Sequence, residues 1–232
     1  MHVRLFLFGK LYLCFMKLQT IKTEDNSWTL KSEKFKEHYH SYHGAITESS
    51  HVFIRNGLLA VQKSNVRLLE IGFGTGLNAV LSHLEANNRG MHIDYYGIEL
   101  YPPSDELLRD YYSRFEEPIR TAGLAMTDKS WNETLNCGEN FTLCKAQQDF
   151  QRYLPEGPFD LVYFDAFSPD AHPEAWTKTM FSRLAGHMNK NALLVTYSSR
   201  GSVKENLRGT GFSVKRYSGP PGKRHIIRAE KQ

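Results

Sequence analysis

Apolar residues in this chain follow two alternating periodicities. Short, nearly continuous apolar runs are typical of strands buried on both faces of a parallel sheet. Apolar residues spaced three or four positions apart, as at Leu77, Val80, Leu81 and Leu84, instead indicate helices. The alternation predicts a doubly wound α/β domain. Its strands are predicted at 66–71, 92–98, 141–145, 159–164 and 191–198.

The last part of the chain has a different pattern. Two strand-like segments, 211–217 and 224–229, are joined by Ser-Gly-Pro-Pro-Gly-Lys, which is rich in turn-forming residues. We therefore expect a closing antiparallel hairpin. Helices are predicted at 202–208 and directly after Ser104, which is a capping residue followed by an acidic first turn.

Three alternating glycines follow the first of the buried strands. Gly72, Gly74 and Gly76 let the backbone turn sharply and approach a ligand closely, since no Cβ is in the way. The helix that follows presents its free N-terminal amides. A dinucleotide fingerprint requires a glycine at position 77, where the chain has Leu77, so the match to NAD is imperfect. A glycine-rich turn in an unrelated α/β protein is the simplest alternative.

Acidic residues stand near the ends of the predicted strands. Glu70 precedes the glycine loop, where we expect its carboxylate to lie close to a bound cation, and S-adenosylmethionine carries an ammonium and a sulfonium. Glu99 ends the second strand and suits a ribose diol, because a carboxylate accepts from both hydroxyls. Asp149 either meets an adenine amino group or caps a helix. The predicted cofactor contacts are Glu70, Gly72, Phe73, Gly74, Gly76, Asn78, Glu99 and Asp149.

A further acidic residue follows the strand at 159–164. Asp165 lies at the carboxyl end of that strand, the sheet edge at which ligands bind in open α/β folds. We predict that Asp165 is the catalytic residue, and a cap of the next turn is the alternative. Phe167 and Trp176 follow in a proline-containing loop, where they either stack on a flipped-out base or fill the core.

The segment before the first core strand is polar and aromatic. Residues 17–60 are interpreted as an extension packed beside the ligand site, with a strand from Trp28 and a helix that ends near Gly57. Glu48 and His51 either face the ligand or serve as a charge and a cap at the helix start.

Composition narrows the class of protein. The 232 residues are 41% hydrophobic and 23% charged, as in an ordinary globular protein, and we place the main domain at 61–232. The three cysteines are odd in number and form no Cys-x-x-Cys, so neither a disulfide framework nor a thiolate zinc site is indicated, and the cytoplasm is the expected compartment. His38, His40 and His43 suggest a metal, but they lack a neighbouring carboxylate or cysteine at helical spacing, and we predict no metal site.

The N-terminus raises the question of a targeting segment. Residues 5–16 are largely apolar, but Lys10 interrupts them and no small-residue cleavage site follows. The run is also too short to span a bilayer, so no membrane partner is expected. We interpret 1–16 as a non-native or flexible extension, with Met16 as an alternative start.

Positive charge is concentrated near the end of the chain. The formal net charge of +4 allows an anionic partner without demanding one. The basic residues concerned are Lys204, Arg208, Lys215, Arg216, Lys223, Arg224 and Arg228. They suit phosphate contacts with nucleic acid, and a solvated basic hairpin is the alternative. The predicted nucleic-acid contacts are Phe167, Trp176, Lys215, Lys223 and Arg224.

Three separated motifs in this order resemble the MnmC/MnmD methyltransferase family. They are Glu-Ile-Gly-Phe-Gly-Thr-Gly-Leu-Asn at 70–78, Phe-Asp-Ala-Phe-Ser-Pro at 164–169 with Pro173 and Trp176, and Gly-Lys-Arg at 222–224. The resemblance implies a class I S-adenosylmethionine-dependent (Rossmann-like) fold with a seven-stranded sheet whose last strand pair is antiparallel. It also implies N-methylation of 5-aminomethyl-2-thiouridine at the tRNA wobble position, which gives 5-methylaminomethyl-2-thiouridine.

The chain departs from that family in two respects. Many members carry a C-terminal flavin-dependent oxidase, whereas the present sequence ends at Gln232, so the resemblance implies the stand-alone form. Members often have a basic residue and Asn before the proline that is Pro173 here, where this chain has Ala171 and His172. We therefore carry over no tRNA contact to those two positions.

The chemistry expected of Asp165 follows from the reaction. Methyl transfer to an amine requires an unprotonated nitrogen in line with the methyl group. A carboxylate attracts the ammonium, orients its nitrogen and accepts the departing proton, directly or through water. Two other functions stay open from the sequence, namely a nicotinamide-dependent oxidoreductase of similar fold and a non-catalytic RNA-binding module.

Overall fold

The computed structural model describes residues 17–232. The predictions for 1–16, including the alternative start at Met16, lie outside the described residues. The strands are β1 (Leu18–Lys22), β2 (Trp28–Ser32), β3 (Glu37–His38), β4 (Asn65–Ile71), β5 (His92–Glu99), β6 (Thr134–Asn136), β7 (Phe141–Gln147), β8 (Phe159–Phe164), β9 (Met188–Thr196), β10 (Phe212–Ser218) and β11 (His225–Lys231).

Six α-helices lie between these strands. They are α1 (Ala45–Ser49), α2 (Leu77–Arg89), α3 (Asp105–Ser113), α4 (Ile119–Thr127), α5 (Lys178–Gly186) and α6 (Gly201–Arg208). Helix α1 continues as a π-helical turn at Ser50–Arg55, and 3₁₀ turns occur at Leu58–Ala60 and Pro173–Trp176. The predicted cap of α3 is confirmed, because Ser104 Oγ accepts from the amide of Leu107 at 3.2 Å. Within 17–232, none of the helices combines the length and the apolar character needed to cross a bilayer.

The main sheet has eight strands in the order β10-β11-β9-β8-β4-β5-β7-β6. Strands β7, β5, β4, β8 and β9 run parallel, and β10 and β11 close the sheet as an antiparallel pair. The predicted α/β fold and the antiparallel closing pair are confirmed. Chain order reverses on either side of β4, which makes the carboxyl end of β4 the switch point of the sheet.

The alternation of side chains along β4 divides the core in two. Val66 and Leu68 pack on one face with α2 and with residues of the N-terminal segment. Leu69 and Ile71 pack on the other face, where α5 and α6 lie. Both faces of the strand are therefore covered, as its continuous apolar character predicted.

The expected count of seven strands is wrong. The additional strand, β6, pairs antiparallel with β7 at the edge of the sheet, with Leu135 opposite Leu143. The strand has three residues, Thr-Leu-Asn, and is too short to show a periodic hydrophobic pattern, so it could not be recognised from the sequence. Trp131, just before it, is half-buried.

The N-terminal segment forms a three-stranded antiparallel sheet of its own, in the order β1-β2-β3. The predicted strand at Trp28 and the helix that ends before Gly57 are confirmed. Leu30 of β2 and Val52 and Phe53 of the helical region belong to the same buried cluster as Val66 of β4. The segment is therefore anchored through apolar contacts to the face of the main sheet that carries α2.

Phe73 of the glycine loop fastens that loop to the sheet. Its side chain is buried and meets the rings of Tyr95 and Trp131 edge to face. It also lies directly over Gly97 of β5, where a Cβ would stand 2.1 Å from Cδ2 of Phe73. The absence of a side chain at position 97 is thus the condition for this packing.

We predict that Gly97→Ala lowers the free energy of unfolding by about 1–3 kcal/mol, because the added methyl group overpacks the contact with Phe73. Urea denaturation of the variant and of wild type measures the change. Gly186→Ala is the control, since a Cβ there meets no atom within 4 Å, and its effect should stay within about 0.5 kcal/mol. Equal effects of the two substitutions would contradict the proposed contact.

Candidate active site

A cavity of about 520 Å³ opens at the carboxyl ends of β4, β5 and β8. This volume is typical of cofactor and small-molecule sites, which measure roughly 300–1,000 Å³. The core contributes the glycine loop, the ends of β5 and β8, and the residues that follow β7. The N-terminal segment contributes residues 34–42, which form the opposite wall of the cavity.

The glycine loop is closely packed between two walls. A Cβ at Gly72, where φ is +87°, would lie 2.6 Å from the carbonyl oxygen of Asp165. A Cβ at Gly74, where φ is +54°, would lie 2.9 Å from the ring of Tyr39. Both the left-handed backbone and the close neighbours therefore require glycine. Gly76, also left-handed, precedes α2 as its cap and lies away from the cavity.

Glu99 faces the cavity from the end of β5. One carboxylate oxygen accepts from the amide of Gly74 at 3.0 Å, and the other accepts from the amide of Tyr101 at 2.8 Å. Each oxygen keeps a further lone pair for a hydroxyl group. Burial raises the pKa of Glu99, and the two backbone hydrogen bonds oppose that shift. The arrangement fits the ribose diol for which Glu99 was predicted.

Glu70 is not in the place that the sequence suggested. Its side chain is fully buried behind the glycine loop, where it accepts from Asn78 Nδ2 and from the Tyr95 hydroxyl, each at 2.7 Å. Burial raises the pKa of Glu70 to about 8. The expected contact of Glu70 with a cation in the loop is therefore wrong, because the side chain turns toward α2 and away from the cavity.

Asn78 links two carboxyl groups. Its Nδ2 donates to Glu70 Oε1 at 2.7 Å and to Asp165 Oδ2 at 2.9 Å. Asn78 is itself buried and does not line the cavity, so its predicted role as a direct cofactor contact is not supported. Its place at the start of α2 instead fixes the position of Asp165 relative to the glycine loop.

Asp165 lines the cavity directly after β8. Its amide donates to the carbonyl of Ile71 at 2.9 Å, which continues the pairing of β4 with β8. Burial raises the pKa of Asp165 well above its ordinary value, and the nearby carboxyl groups of Glu70 and Glu48 add to the shift. The hydrogen bond from Asn78 and the charge of Lys223 oppose it. This carboxyl group is therefore disposed to take up a proton.

Aromatic rings form the wall on the far side of Asp165. Phe167 stacks on Phe35 with ring centroids 4.2 Å apart and meets Tyr39 edge to face at 5.3 Å. Glu37 holds this wall to the core, because its carboxylate accepts from both the amide and the hydroxyl of Ser168. These contacts of the N-terminal segment were missed, since the sequence offers no pairing signal between segments so far apart.

Trp176 does not reach the cavity. It is 3% exposed and packs against Phe164 and Phe181, while its indole nitrogen donates to the carbonyl of Phe167 at 2.8 Å. The prediction that Trp176 contacts the substrate is wrong, and its alternative, a core residue, is what the structure contains. Its effect on the site is indirect, through the position of Phe167.

Asp149 lies at the cavity, and no helix follows it for its side chain to cap. It lines the cavity beside Phe150 and Gln151. One of its carboxylate oxygens accepts from the amide of Gln151 at 2.9 Å, which caps the turn after β7. That turn does not develop into a helix, and the second carboxylate oxygen lies 3.5 Å from Arg152.

The predicted basic contacts separate into two groups. Lys215 and Arg224 are exposed on the closing hairpin and do not line the cavity. Lys223 points inward, where it forms an ion pair with Glu48. In this conformation its ammonium is paired with Glu48, and its contact with nucleic acid stays a prediction. The sequence pattern does not distinguish the two groups, because all three lysine and arginine residues belong to one hairpin.

Three of the histidines, His40, His43 and His51, have polar partners within the protein. Buried His40 lies 3.0 Å from Thr75 Oγ1 through its Nε2, and burial lowers its pKa to about 4. His43 Nδ1 lies 2.8 Å from Glu24, and His51 Nε2 lies 2.7 Å from the carbonyl of Ser218 rather than facing the cavity. Among residues 17–232, the histidine, cysteine and acidic side chains form no group capable of holding a metal ion.

We predict that Glu99→Gln weakens S-adenosylmethionine binding by about ten- to a hundredfold, because the amide loses the charge that strengthens hydrogen bonds to the ribose diol. Isothermal titration calorimetry with the purified protein measures the change. Glu106→Gln, on the exposed first turn of α3, is the matched control and should bind as wild type does. Unaltered binding by Glu99→Gln would place the ribose elsewhere.

Comparison with known proteins agrees with this geometry. A family model described as S-adenosyl-L-methionine-dependent methyltransferase matches residues 107–232, which is more than half of the chain. The crystal structure of MNMC2 from Aquifex aeolicus is 27% identical, with a TM-score of 0.74, and the match covers 93% of this chain and 70% of that one. Spermidine synthase from Thermotoga maritima, at 11% identity and a TM-score of 0.55, shares the fold.

Curated relatives carry the name tRNA 5-methylaminomethyl-2-thiouridine biosynthesis bifunctional protein MnmC. The relative from Campylobacter hominis is 31% identical over 206 residues, which cover 86% of this chain and 31% of that protein. The relative from Methylobacillus flagellatus is 28% identical over 213 residues, which cover 84% and 33%. The chain thus spans about a third of the length of these relatives. By the match of the family model, the protein belongs to the S-adenosyl-L-methionine-dependent methyltransferases.

Proposed function

We propose that the protein methylates the aminomethyl group of 5-aminomethyl-2-thiouridine at the wobble position of tRNA, giving 5-methylaminomethyl-2-thiouridine. The observation that carries the proposal is the placement of Asp165 in the cavity, between the glycine loop on one side and the aromatic wall of Phe35 and Phe167 on the other. The names of the MnmC relatives support the choice of substrate. Membership in the methyltransferase family removes the nicotinamide-dependent alternative.

The cofactor side of the cavity is built from the core. Glu99 offers its carboxylate to the ribose, and Gly72 and Gly74 allow the backbone to approach the ligand without side chains in the way. Asp149, with Ile98 and Phe150, surrounds the space that suits the adenine. S-adenosylmethionine, when bound, supplies an activated methyl group on a sulfonium.

Asp165 binds the amine of the substrate and accepts its proton. An aliphatic primary amine is mostly protonated at neutral pH, so the nitrogen must lose a proton before its lone pair can attack. The carboxylate of Asp165 attracts the ammonium, holds its nitrogen through a hydrogen bond and receives the proton. The raised pKa of Asp165 favours this uptake, because it brings the carboxyl group closer to the pKa of the amine.

The aromatic wall offers a stacking surface for the nucleobase of the substrate. Phe167 is partly exposed in the cavity, and its stack with Phe35 holds it in one orientation. A uridine flipped out of the anticodon loop can stack against such rings while its 5-substituent extends toward Asp165. Exposed Lys215 and Arg224 on the closing hairpin are available to the RNA phosphates outside the cavity.

The function is tested by incubating the protein with labelled S-adenosylmethionine and tRNA that carries 5-aminomethyl-2-thiouridine, followed by nucleoside analysis by mass spectrometry. Label in 5-methylaminomethyl-2-thiouridine supports donor, acceptor and reacting atom together. If the cofactor binds but no label enters the nucleoside, the proposed substrate is incorrect, and other amine acceptors become the object of the search.

We predict that Asp165→Asn lowers kcat for methyl transfer by about 10²- to 10⁴-fold, because the amide still accepts a hydrogen bond but cannot take up the proton. S-adenosylmethionine binding should stay close to that of wild type, which calorimetry measures. Asp128→Asn, at an exposed ion pair with Arg109, is the control and should keep full turnover. Full turnover in Asp165→Asn would remove Asp165 from the mechanism.

A further inference from the structure

Lys223 is directed into the cavity by the turn that precedes β11. The amide of Lys223 donates to the carbonyl of Pro220 at 2.9 Å, and Gly222 between them has φ of +80°. With Pro221 at the second position and glycine at the third, the four residues have the features of a type II turn. A Cβ at Gly222 would lie 2.1 Å from the ring of His43, so the turn is pressed against the N-terminal segment.

The partner of Lys223 is a buried carboxylate. Glu48 Oε1 accepts from Lys223 Nζ, and Glu48 Oε2 accepts from the amide of Ser41 at 2.6 Å. The Glu48 side chain is 9% exposed and that of Lys223 is 27% exposed. The ammonium also lies 4.9 Å from the centre of the Tyr197 ring. An ion pair shielded in this way is weakened little by salt, unlike pairs at the surface.

This ion pair shares the cavity with Asp165. Glu48 comes from α1 and Lys223 from the turn before β11, so three elements distant in sequence bring their charges together. The charged and titratable groups around Asp165 are Glu70, Glu48, Lys223, Tyr95 and Tyr197. Lys223 is the cation of this group; His40, which also lines the cavity and interacts with Glu48 and Lys223, has its pKa lowered by burial to about 4. Carboxyl groups so close together oppose one another's ionisation, and a cation among them offsets that effect.

We propose that Lys223, held in place by Glu48, is the internal counter-charge of Asp165, and that Lys223 is a positioning residue of the amine site rather than a contact for RNA phosphates. The proposal rests on the proposed function and deepens it. Lys223 lowers the pKa of Asp165 and so favours the ionised carboxylate, which is the form that can receive the proton of the incoming ammonium. Glu48 holds the lysine in place and prevents it from pairing directly with Asp165, which would close the position that the amine needs.

Two substitutions test this role, because they are expected to shift the pKa of Asp165 in opposite directions. Lys223→Met removes the cation, raises the pKa of Asp165 and moves the acidic limb of the kcat/KM profile to higher pH. Glu48→Gln removes a repelling anion, lowers the pKa of Asp165 and moves the limb to lower pH. Each shift should reach about one pH unit, the lower range for a charge near a carboxyl group. At pH values below the acidic limb, kcat/KM of Lys223→Met is then about tenfold lower than that of wild type.

The matched controls are Lys223→Arg and Arg224→Ala. The first keeps the cation and should restore the limb close to its wild-type position. The second removes the neighbouring exposed charge, and should raise KM for tRNA in a salt-dependent way without moving the limb. Titration of the substrate amine contributes equally in all variants, so differences between profiles report on the protein.

A measurement without turnover separates this proposal from the proposed function. Carboxyl ¹³C NMR, with the Asp165 signal assigned from Asp165→Asn, follows the titration of Asp165 in wild type, Lys223→Met and Glu48→Gln. Shifts of opposite sign support the counter-charge even if wild type methylates no tRNA, which would refute the substrate alone. An unchanged Asp165 titration in Lys223→Met, together with a salt-dependent rise in KM, would overturn the proposal and return Lys223 to the RNA contacts.

Discussion

The hydrogen bonds from one amide to two carboxyl groups fix the geometry of the cavity around Asp165. Asn78 Nδ2 donates to both Glu70 and Asp165 and thereby joins the ends of β4 and β8 to the start of α2. Two buried carboxylates at this distance cannot both be ionised at little cost, because burial and mutual repulsion each disfavour the second charge. Burial raises the pKa of both carboxyl groups. Glu70 is enclosed behind the glycine loop, whereas Asp165 faces the cavity and is the one that can meet a ligand.

Side chains at strand ends were the part of the site most accessible to prediction. Glu99, Asp165 and the glycines follow buried strands, and the carboxyl ends of parallel strands meet at one edge of the sheet. The same reasoning failed for Glu70, because successive side chains along a strand point to opposite faces of the sheet. Glu70 lies one residue before Ile71, on the face covered by α2. Strand position alone identifies the right edge, and the pleat decides which side chains reach it.

Tertiary contacts explain most of what the sequence did not predict. Trp176 and Phe167 occur in the same proline-containing loop with similar apolar character, yet one fills the core and the other lines the cavity. Lys223 and Arg224 are adjacent basic residues. After the turn at Gly222, Lys223 points into the cavity and Arg224 is exposed to solvent. The aromatic wall depends on Phe35 and Glu37, whose partners are more than a hundred residues away. Local patterns hold no information about such pairings.

The meeting of Glu48 with Lys223 has a consequence for the order in which the protein is assembled. The glycine loop and the parallel strands adjoin one another early along the chain, whereas the ion pair spans 175 residues. Contacts of such long range form late, because closing the chain over that length costs entropy before the contact repays it. During synthesis, the scaffold of the cofactor side therefore precedes the charge balance around Asp165. A nascent chain therefore acquires the cavity's glycine loop before it acquires the ion pair of the proposed amine site.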